Sequence, residues 1–277
     1  MGLVLAVALF GVGEEGWALA MLVLTGIGAW EWAALAGFTH RARLAATLLV
    51  VVCCVLAGLW CGVPESIVSG LRPELAGASG GQRRRVLCLL GVGALFWCVI
   101  VPGWLWRLPQ QVSSVVLFAM ALPALVPAWL ATVVLRSQGA GCLLGAMAIV
   151  WIADTSGYGF GRWLGRHKLA PRVSPGKTWE GVLGGLAMLL VYGLWLVLGP
   201  AAAALEPAGL AGALAGILFL GAVSVEGDLF ESSLKRRAGV KDSGSLIPGH
   251  GGVLDRLDAQ FSTLPLAALL LHLSGVL

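Results

Sequence analysis

Long apolar stretches and short polar ones alternate along nearly the whole chain. Charge-free runs of roughly 18 residues or more recur, and an α-helix of that length crosses the hydrocarbon core of a bilayer. The runs predict helical spans at 2–13, 16–36, 44–63, 86–106, 113–135, 139–160, 181–200, 207–225 and 259–276. Because the run 2–13 is too short to span alone, the pattern predicts an all-α polytopic membrane protein with eight or nine transmembrane helices.

The composition agrees with this fold class and excludes an ordinary soluble domain. Of the 277 residues, 58% are hydrophobic and 12% are charged, whereas soluble domains carry about 25% charged residues. The net charge of +4 is modest, and we predict no nucleic-acid partner. The lipid bilayer is the expected surrounding of most of the chain.

The distribution of basic residues predicts which face of the protein is cytoplasmic. All four lysines of the chain lie in two polar segments, 161–180 and 226–258. Cytoplasmic loops carry an excess of Lys and Arg, so we expect both segments on the cytoplasmic side of a cell inner membrane. The loop 64–85 carries four arginines and argues the other way, because with nine spans it falls on the opposite face.

The stretch 151–185 combines an acid at the membrane boundary with groups suited to an anion. Asp154 directly follows an apolar run, so we expect it at or just inside the boundary. In the run Ser174-Pro175-Gly176-Lys177-Thr178, hydroxyls, a compact positive charge and backbone N–H groups can meet a phosphate. A helix after this run would turn its positive N-terminal end to the same anion. The run differs from the Walker pattern, and an ordinary basic cytoplasmic loop is the alternative.

The stretch 226–258 holds six acids, five bases and His250 between two apolar runs. Charged groups at that density are costly in hydrocarbon, so we expect water or a polar ligand to reach them. Asp228 directly follows a predicted span. Asp255 and Asp258 are three residues apart, so on a helix they would occupy one face. A few carboxylates with open positions for phosphates and water suit Mg²⁺.

Bases in the same stretch supply the counter-charge that a polyphosphate needs. They are Lys235, Arg236, Lys241 and Arg256. The glycine-rich turn around His250 would let a ligand approach the backbone, and this histidine could pair with a phosphate or orient a carboxylate. The alternative is a solvated loop of salt bridges.

Several of these residues form a pattern that resembles a known signature. It consists of Ser232-x-x-Lys235-Arg236, Lys241-Asp242, Pro248-x-His250-Gly251-Gly252 and Asp255-Arg256-x-Asp258. The pattern is similar to that of the CDP-diacylglycerol synthases, also named phosphatidate cytidylyltransferases. The upstream residues Asp154, Tyr158 and Gly161 and the run 167–185 resemble that family too. The specific resemblance covers about the last 130 residues.

The resemblance implies a reaction in which CTP and phosphatidate give CDP-diacylglycerol and pyrophosphate. It implies that Mg²⁺ is required and leaves a second metal ion open. It also implies a helical fold with a polar active-site cleft that opens to the cytoplasm and the lipid, and a homodimer.

The resemblance and the residue chemistry together predict the site residues. The predicted catalytic residues are Asp228, Asp255, Lys241 and Asp258, and the three aspartates are also the predicted metal ligands. The predicted substrate-binding residues are Ser174, Lys177, Thr178, Ser232, Lys235, Arg236, His250, Arg256 and Asp154. We expect N-terminal transmembrane helices in 1–110 and a transmembrane catalytic region in 111–277.

Two other functions stay open on the sequence. An ion-coupled transporter would use Asp154 and Glu31 as membrane-embedded carboxylates, since such groups are functional candidates by default. The transporter function gives no role to the charged stretch 226–258. A cytidylyltransferase acting on a different lipid phosphate would use the same chemistry and differ only in the lipid. For Glu31, a hydrogen bond to a neighbouring helix is an equally good interpretation.

Overall fold

The chain is almost entirely helical in the computed structural model, which describes residues 11–63, 79–109, 111–199, 207–246 and 251–274. The helices are α1 (Glu14–Leu35), α2 (His40–Cys61), α3 (Ser79–Leu95), α4 (Val101–Arg107), α5 (Ser114–Ala119), α6 (Ala121–Ser137), α7 (Ala140–Leu164), α8 (Trp179–Leu198), α9 (Pro207–Arg237) and α10 (Leu254–Leu273). A π-helical turn, Phe96–Ile100, joins α3 to α4. Strands β1 (Lys168–Ala170) and β2 (Ser174–Thr178) precede α8. The predicted span 2–13 lies mostly outside the described residues.

Seven helical segments in the described part of the chain are long and apolar enough to cross a membrane. They are Glu14–Leu35, His40–Cys61, Gly81–Arg107, Ser114–Ser137, Ala140–Leu164, Trp179–Leu198 and Gly209–Arg237. Large apolar side chains such as Leu48, Val191 and Leu198 are exposed on them, as a lipid-facing surface requires. The predicted all-α polytopic membrane fold is therefore confirmed.

Helix α10 runs through the interior of the bundle. Every residue in 259–268 is buried, and the helix packs against α9, α6 and α3. Its buried polar groups are used to hold neighbouring helices: Ser262 Oγ lies 3.0 Å from Val223 O of α9, and Gln260 Nε2 donates to Met147 O of α7 at 3.3 Å. The two helices that carry Asp154 and Asp228 are thus fixed to the same central helix.

An aromatic cluster around Phe230 fixes α9 to the N-terminal helices. The Phe230 ring lies 5.8 Å from Trp32 of α1, 5.8 Å from Phe96, 5.7 Å from Trp97 and 6.0 Å from Trp104. The last three pairs are edge-to-face, and such contacts add about 0.5–1.5 kcal/mol each beyond burial of the rings. The cluster joins residues from both sides of the predicted division at residue 110, and the division itself stays a prediction.

Helix α9 is longer than the sequence pattern predicted. The predicted span ended at residue 225, where charges begin, but the helix continues to Arg237. It ends in a Schellman motif in which Gly239 has φ +72° and Val240 N–H donates to Lys235 O at 3.0 Å, a conformation that glycine adopts at little cost. Asp228, Ser232 and Lys235 therefore lie on one face of a helix rather than in a loop.

The run 174–178, predicted as a loop, forms a strand of a short antiparallel hairpin. Lys168 pairs with Thr178 and Ala170 with Ser174. Glu180, in the first turn of α8, accepts hydrogen bonds from the backbone N–H groups of Arg166 at 3.1 Å and His167 at 3.2 Å. These bonds anchor the hairpin to the helix that follows it.

Candidate functional site

A cavity of about 600 Å³ lies between α7, the β1–β2 hairpin, α8 and α9. Side chains from both polar stretches of the sequence line it. Among them are five of the predicted site residues: Asp154, Ser174, Lys177, Thr178 and Asp228. Predicted site residues that are up to 74 positions apart in the chain (154 to 228) thus surround one cavity beside membrane-spanning helices.

An ion pair between Lys177 and Asp228 connects the hairpin to α9. Lys177 Nζ lies 2.7 Å from Asp228 Oδ2 and 3.3 Å from Val225 O. Ser232 Oγ, one turn further along α9, donates to Asp228 Oδ1 at 3.2 Å. The two charged side chains keep 20% and 32% of their surface exposed, so a ligand in the cavity can reach both.

Thr178 joins the hairpin to α8 as the N-cap of the helix. Its Oγ1 accepts a hydrogen bond from Gly181 N at 3.2 Å, which satisfies one of the backbone N–H groups that a helix start leaves unpaired. The side chain is buried, with 4% exposed. This cap places the N-terminal end of α8, which favours negative charge, at the wall of the cavity.

A second polar cluster lies two turns along α9 from Asp228. Lys235 Nζ lies 2.6 Å from Asp255 Oδ1 and also pairs with Glu231. The other oxygen of Asp255 accepts hydrogen bonds from Ser243 N at 2.9 Å and Gly252 N at 2.8 Å. Burial alone would raise the pKa of the Asp255 carboxyl, but these hydrogen bonds, Lys235 first, lower it to about 2. Asp255 is thus a carboxylate at neutral pH.

The predicted metal ligands lie in two places. Asp258, near the start of α10, is half-buried, and burial followed by the nearby charges of Asp228 and Asp154 raises the pKa of its carboxyl. Asp255 instead pairs with Lys235. Among the described residues, no three His, Cys, Asp or Glu side chains are arranged to hold a metal directly. Because Mg²⁺ uses one or two carboxylates and completes its shell with phosphates and water, Asp228 with a neighbouring acid fits such an ion.

The remaining predicted site residues differ in their surroundings. Lys241 and Arg256 are exposed, in the connection after α9 and in the first turn of α10. Arg236 Nε donates to Val173 O at 3.3 Å, so it holds the tip of the hairpin against α9. His250 lies outside the described residues.

Comparison with known proteins identifies the family. The sequence model of the cytidylyltransferase family matches residues 1–274. The chain belongs to this family. A protein of Pseudomonas aeruginosa named phosphatidate cytidylyltransferase is 38% identical over 267 residues, which cover 93% of this chain and 88% of that protein. Proteins of the same name from Haemophilus influenzae and Staphylococcus aureus are 45% and 41% identical over 46% and 49% of this chain, and over 44% and 51% of their own lengths.

The candidate site includes residues that are not among those predicted from the sequence. Tyr158, Arg162 and Lys168 line the cavity, and Arg162 Nη1 donates to the Tyr158 hydroxyl at 3.1 Å, one helical turn away. Both basic residues lie in the segment 161–180, whose positive charge predicts only its cytoplasmic side. Glu231 is buried and pairs with Lys235. The spacing of four between Glu231 and Lys235 is the signal that could have found this pair, once the stretch is taken as helical.

Proposed function

We propose that this protein is a phosphatidate cytidylyltransferase, which makes CDP-diacylglycerol and pyrophosphate from CTP and phosphatidate. The observation that carries the proposal is the Lys177–Asp228 pair, which faces a cavity between helices long enough to cross a membrane. Its ammonium suits a phosphate and its carboxylate suits a metal ion. The family and the relative matched over 93% of the chain support the same reaction.

The chemistry requires charge neutralisation more than proton transfer. A phosphate oxygen of phosphatidate attacks the α-phosphorus of CTP, the bond from that phosphorus to the oxygen bridging the β-phosphorus breaks, and pyrophosphate leaves with the bonding electrons. The nucleophile is already an anion, so the barrier comes from joining two anions and from charge developing on the leaving group. Lys177, Arg162 and Lys168 line the cavity, where their positive charges offset both.

The carboxylates are assigned to a cation. We assign Asp228 and the neighbouring Asp258 to hold Mg²⁺, which when bound would neutralise phosphate charge and polarise the reacting phosphoryl group. Ser232 orients Asp228 by donating to its Oδ1. A metal-binding role of Asp255 and a second metal ion stay predictions.

The surroundings of the cavity suit a lipid substrate. Each of Trp163, Trp179 and Leu183 directly follows in sequence a residue that lines the cavity. Their side chains are 79%, 53% and 62% exposed. A lipid phosphate in the cavity could therefore keep its acyl chains in the bilayer. The basic residues of the hairpin and of the end of α9 favour a cytoplasmic orientation in the inner membrane. The homodimer that the resemblance implies is a further prediction, which cross-linking in membranes can test.

The proposed reaction predicts a lipid product that requires both phosphatidate and Mg²⁺. Purified protein in detergent or nanodiscs, given CTP labelled on the α-phosphate, phosphatidate and Mg²⁺, should form labelled lipid and release one pyrophosphate per lipid. Chelation with EDTA should abolish the product and added Mg²⁺ should restore it, because the cavity gathers anions that lysine and arginine alone do not neutralise.

Its control replaces phosphatidate by diacylglycerol, which lacks the nucleophilic phosphate and should give no product. Folded protein that forms no labelled lipid in several detergents would refute the proposed function. Product from another lipid phosphate but not from phosphatidate would change the substrate and leave the reaction class intact.

A second prediction tests the contact between α9 and α10 beside Asp228. A Cβ added at Gly227 would lie 2.9 Å from Ser262 Cβ and 3.0 Å from the backbone oxygen of Asp258, so Gly227→Ala must push the helices apart. Because such displacement moves Asp228 relative to Asp258, we expect kcat to fall by about 10- to 100-fold and stability by about 1–3 kcal/mol. Initial rates and thermal unfolding measure both.

The matched control for that substitution is Gly212→Ala in the same helix. A Cβ at Gly212 would meet nothing within 4 Å, so the exchange should leave kcat unchanged. Equal rates for both alanine variants would show that close packing at Gly227 does not set the position of Asp228.

A further inference from the structure

Glu31 is a buried carboxylate in α1 that the reaction as described does not use. It is 4% exposed and lies one turn before the end of the helix, far in sequence from both polar stretches. Its two oxygens accept hydrogen bonds only from the segment that leads into α10, as far as the described residues show. This pattern makes Glu31 a tether rather than a surface charge.

The contacts of Glu31 fix the start of α10. Oε1 accepts from Val253 N at 3.0 Å, and Oε2 accepts from Leu254 N at 2.7 Å. Val253 is the N-cap of α10 and Leu254 its first residue, so the carboxylate satisfies two backbone N–H groups that a helix start leaves unpaired. A negative charge is also favoured at this end of a helix. A side chain from α1 therefore caps α10.

The chain closes tightly around this carboxylate. A Cβ at Gly244 would lie 2.5 Å from Glu31 Oε1, and a Cβ at Gly252 would collide with Oε2. Both glycines belong to the connection between α9 and α10, Gly244 beside Oε1 and Gly252 beside Oε2 of Glu31. Only residues without a side chain allow the connection to approach Glu31 this closely.

Ser243 connects Glu31 to Asp255. Its hydroxyl lies 3.0 Å from Glu31 Oε2 and 3.0 Å from Asp255 Oδ2, so its single hydrogen serves either carboxylate. Asp255 in turn accepts from Ser243 N and Gly252 N and pairs with Lys235. A continuous set of contacts thus runs from α1 through the connection to Asp255 and then to α9.

We propose that Glu31 is a positioning residue for the cytidylyl transfer, which holds the α9–α10 connection so that Asp255 and Lys235 stay paired two turns along α9 from Asp228. The inference rests on the proposed function. It assigns Glu31 a fixed place in the site, in contrast to the mobile ion-carrying role that a transporter would need. It also makes α1, from the N-terminal half of the chain, a part of the catalytic architecture.

The test compares Glu31→Gln with the wild type. Glutamine keeps the size of the side chain but has one acceptor oxygen, and its NH₂ group would face a backbone N–H of α10. We expect kcat to fall about 10- to 100-fold, the effect of losing hydrogen bonds to a charged group. The KM for CTP should change less than about threefold, because Ser174 and Lys177 lie on the hairpin, which Glu31 does not contact. Amide exchange should speed up in peptides covering 243–254.

The matched control is Trp129→Phe, which removes a different buried tether of α1. Trp129 Nε1 donates to Ala18 O at 3.1 Å, far along α1 from Glu31. This variant should lower the unfolding temperature but keep kcat and the exchange rate of 243–254. Equal losses of kcat in both variants would reduce Glu31 to general support of the bundle and overturn the inference.

Further outcomes separate this inference from the proposed function. Should Glu31→Gln fail to fold, Ser243→Ala leaves α1 intact, removes the shared hydroxyl and should lower kcat about 3- to 10-fold, as loss of one hydrogen bond does. Normal kcat in either folded variant, or unchanged exchange in 243–254, would refute the positioning role. A folded wild-type protein without turnover would refute the proposed function instead, and the exchange data would still decide whether Glu31 is a tether.

Discussion

Replacing Asp228 by asparagine is expected to lower kcat by about 100-fold or more. The amide keeps the shape of the side chain and can still accept from Ser232, but it loses the charge that pairs with Lys177 at 2.7 Å. The variant therefore lacks a carboxylate that is proposed to bind the cation at the cavity. Formation of labelled CDP-lipid at saturating CTP, phosphatidate and Mg²⁺ measures the loss.

Stability distinguishes this effect from unfolding. Asp228 and Lys177 keep 32% and 20% of their side-chain surface exposed, and a partly exposed pair contributes at most about 1 kcal/mol. The unfolding temperature should thus fall by no more than roughly 2–4 °C. Glu15→Gln, the same chemical change at an exposed acid in the first turn of α1, should change neither quantity. If the Asp228→Asn variant keeps more than half of the wild-type kcat, Asp228 is not part of the proposed metal site.

The membrane helices could be predicted because their signal is local. Long charge-free runs predict a helix whatever their neighbours are, and the described helices occupy the predicted places from α1 to α10. The predicted span 259–276 became α10, which is not among the seven described segments long and apolar enough to cross a membrane. The end of α9 could not be placed by the same rule, since the first charge after an apolar run marks the end of the hydrophobic segment, and not the end of the helix. The helix continues past Glu226 and ends at Arg237, two residues before Gly239, whose positive φ allows a Schellman motif. Glycine after a run of bases was the better signal.

The site could be predicted in its composition but not in its connections. Charged residues in an apolar chain are conspicuous, so Lys177 and Asp228 were found, and the structure places them in contact. The partners of Glu31 are 212 to 223 positions away, and a single sequence contains no periodicity that relates such distant residues. Only the packing of α1 against the start of α10 shows what the buried carboxylate does.

The spacing of Asp255 and Asp258 shows why a shared helix face does not mean a shared ligand. Both residues lie on α10, which begins five residues before the predicted span 259–276. Asp258 lies near Asp228 and Asp154, whose charges act on it, whereas Asp255 turns to Lys235 and to the backbone of the α9–α10 connection. Asp255 is engaged by Lys235 of α9 and by Ser243 and Gly252 of the connection that enters α10.

Replacing Asp255 by asparagine should lower both activity and stability. Asp255 and Lys235 keep only 9% and 13% of their side-chain surface exposed, and removing one partner of a buried pair costs about 3 kcal/mol or more. The asparagine NH₂ group would face either the Lys235 ammonium or the N–H groups of Ser243 and Gly252. We expect kcat to fall by about 100-fold and the unfolding temperature to fall more than in Asp228→Asn. Rates and thermal unfolding of the two variants, measured side by side, provide the comparison.

Two measurements then assign the role of Asp255. In a double-mutant cycle with Lys235→Met, the two stability losses should fail to add by about 1 kcal/mol or more, because both substitutions break the same pair. The Mg²⁺ dependence of the residual rate distinguishes a metal-binding role of Asp255 from a structural one. A higher Mg²⁺ midpoint would show that Asp255 binds the ion, as its sequence context predicts. An unchanged midpoint would show that Asp255 only anchors the connection. An Asp255→Asn variant with wild-type stability would contradict the anchoring, since four hydrogen-bond donors converge on that carboxylate.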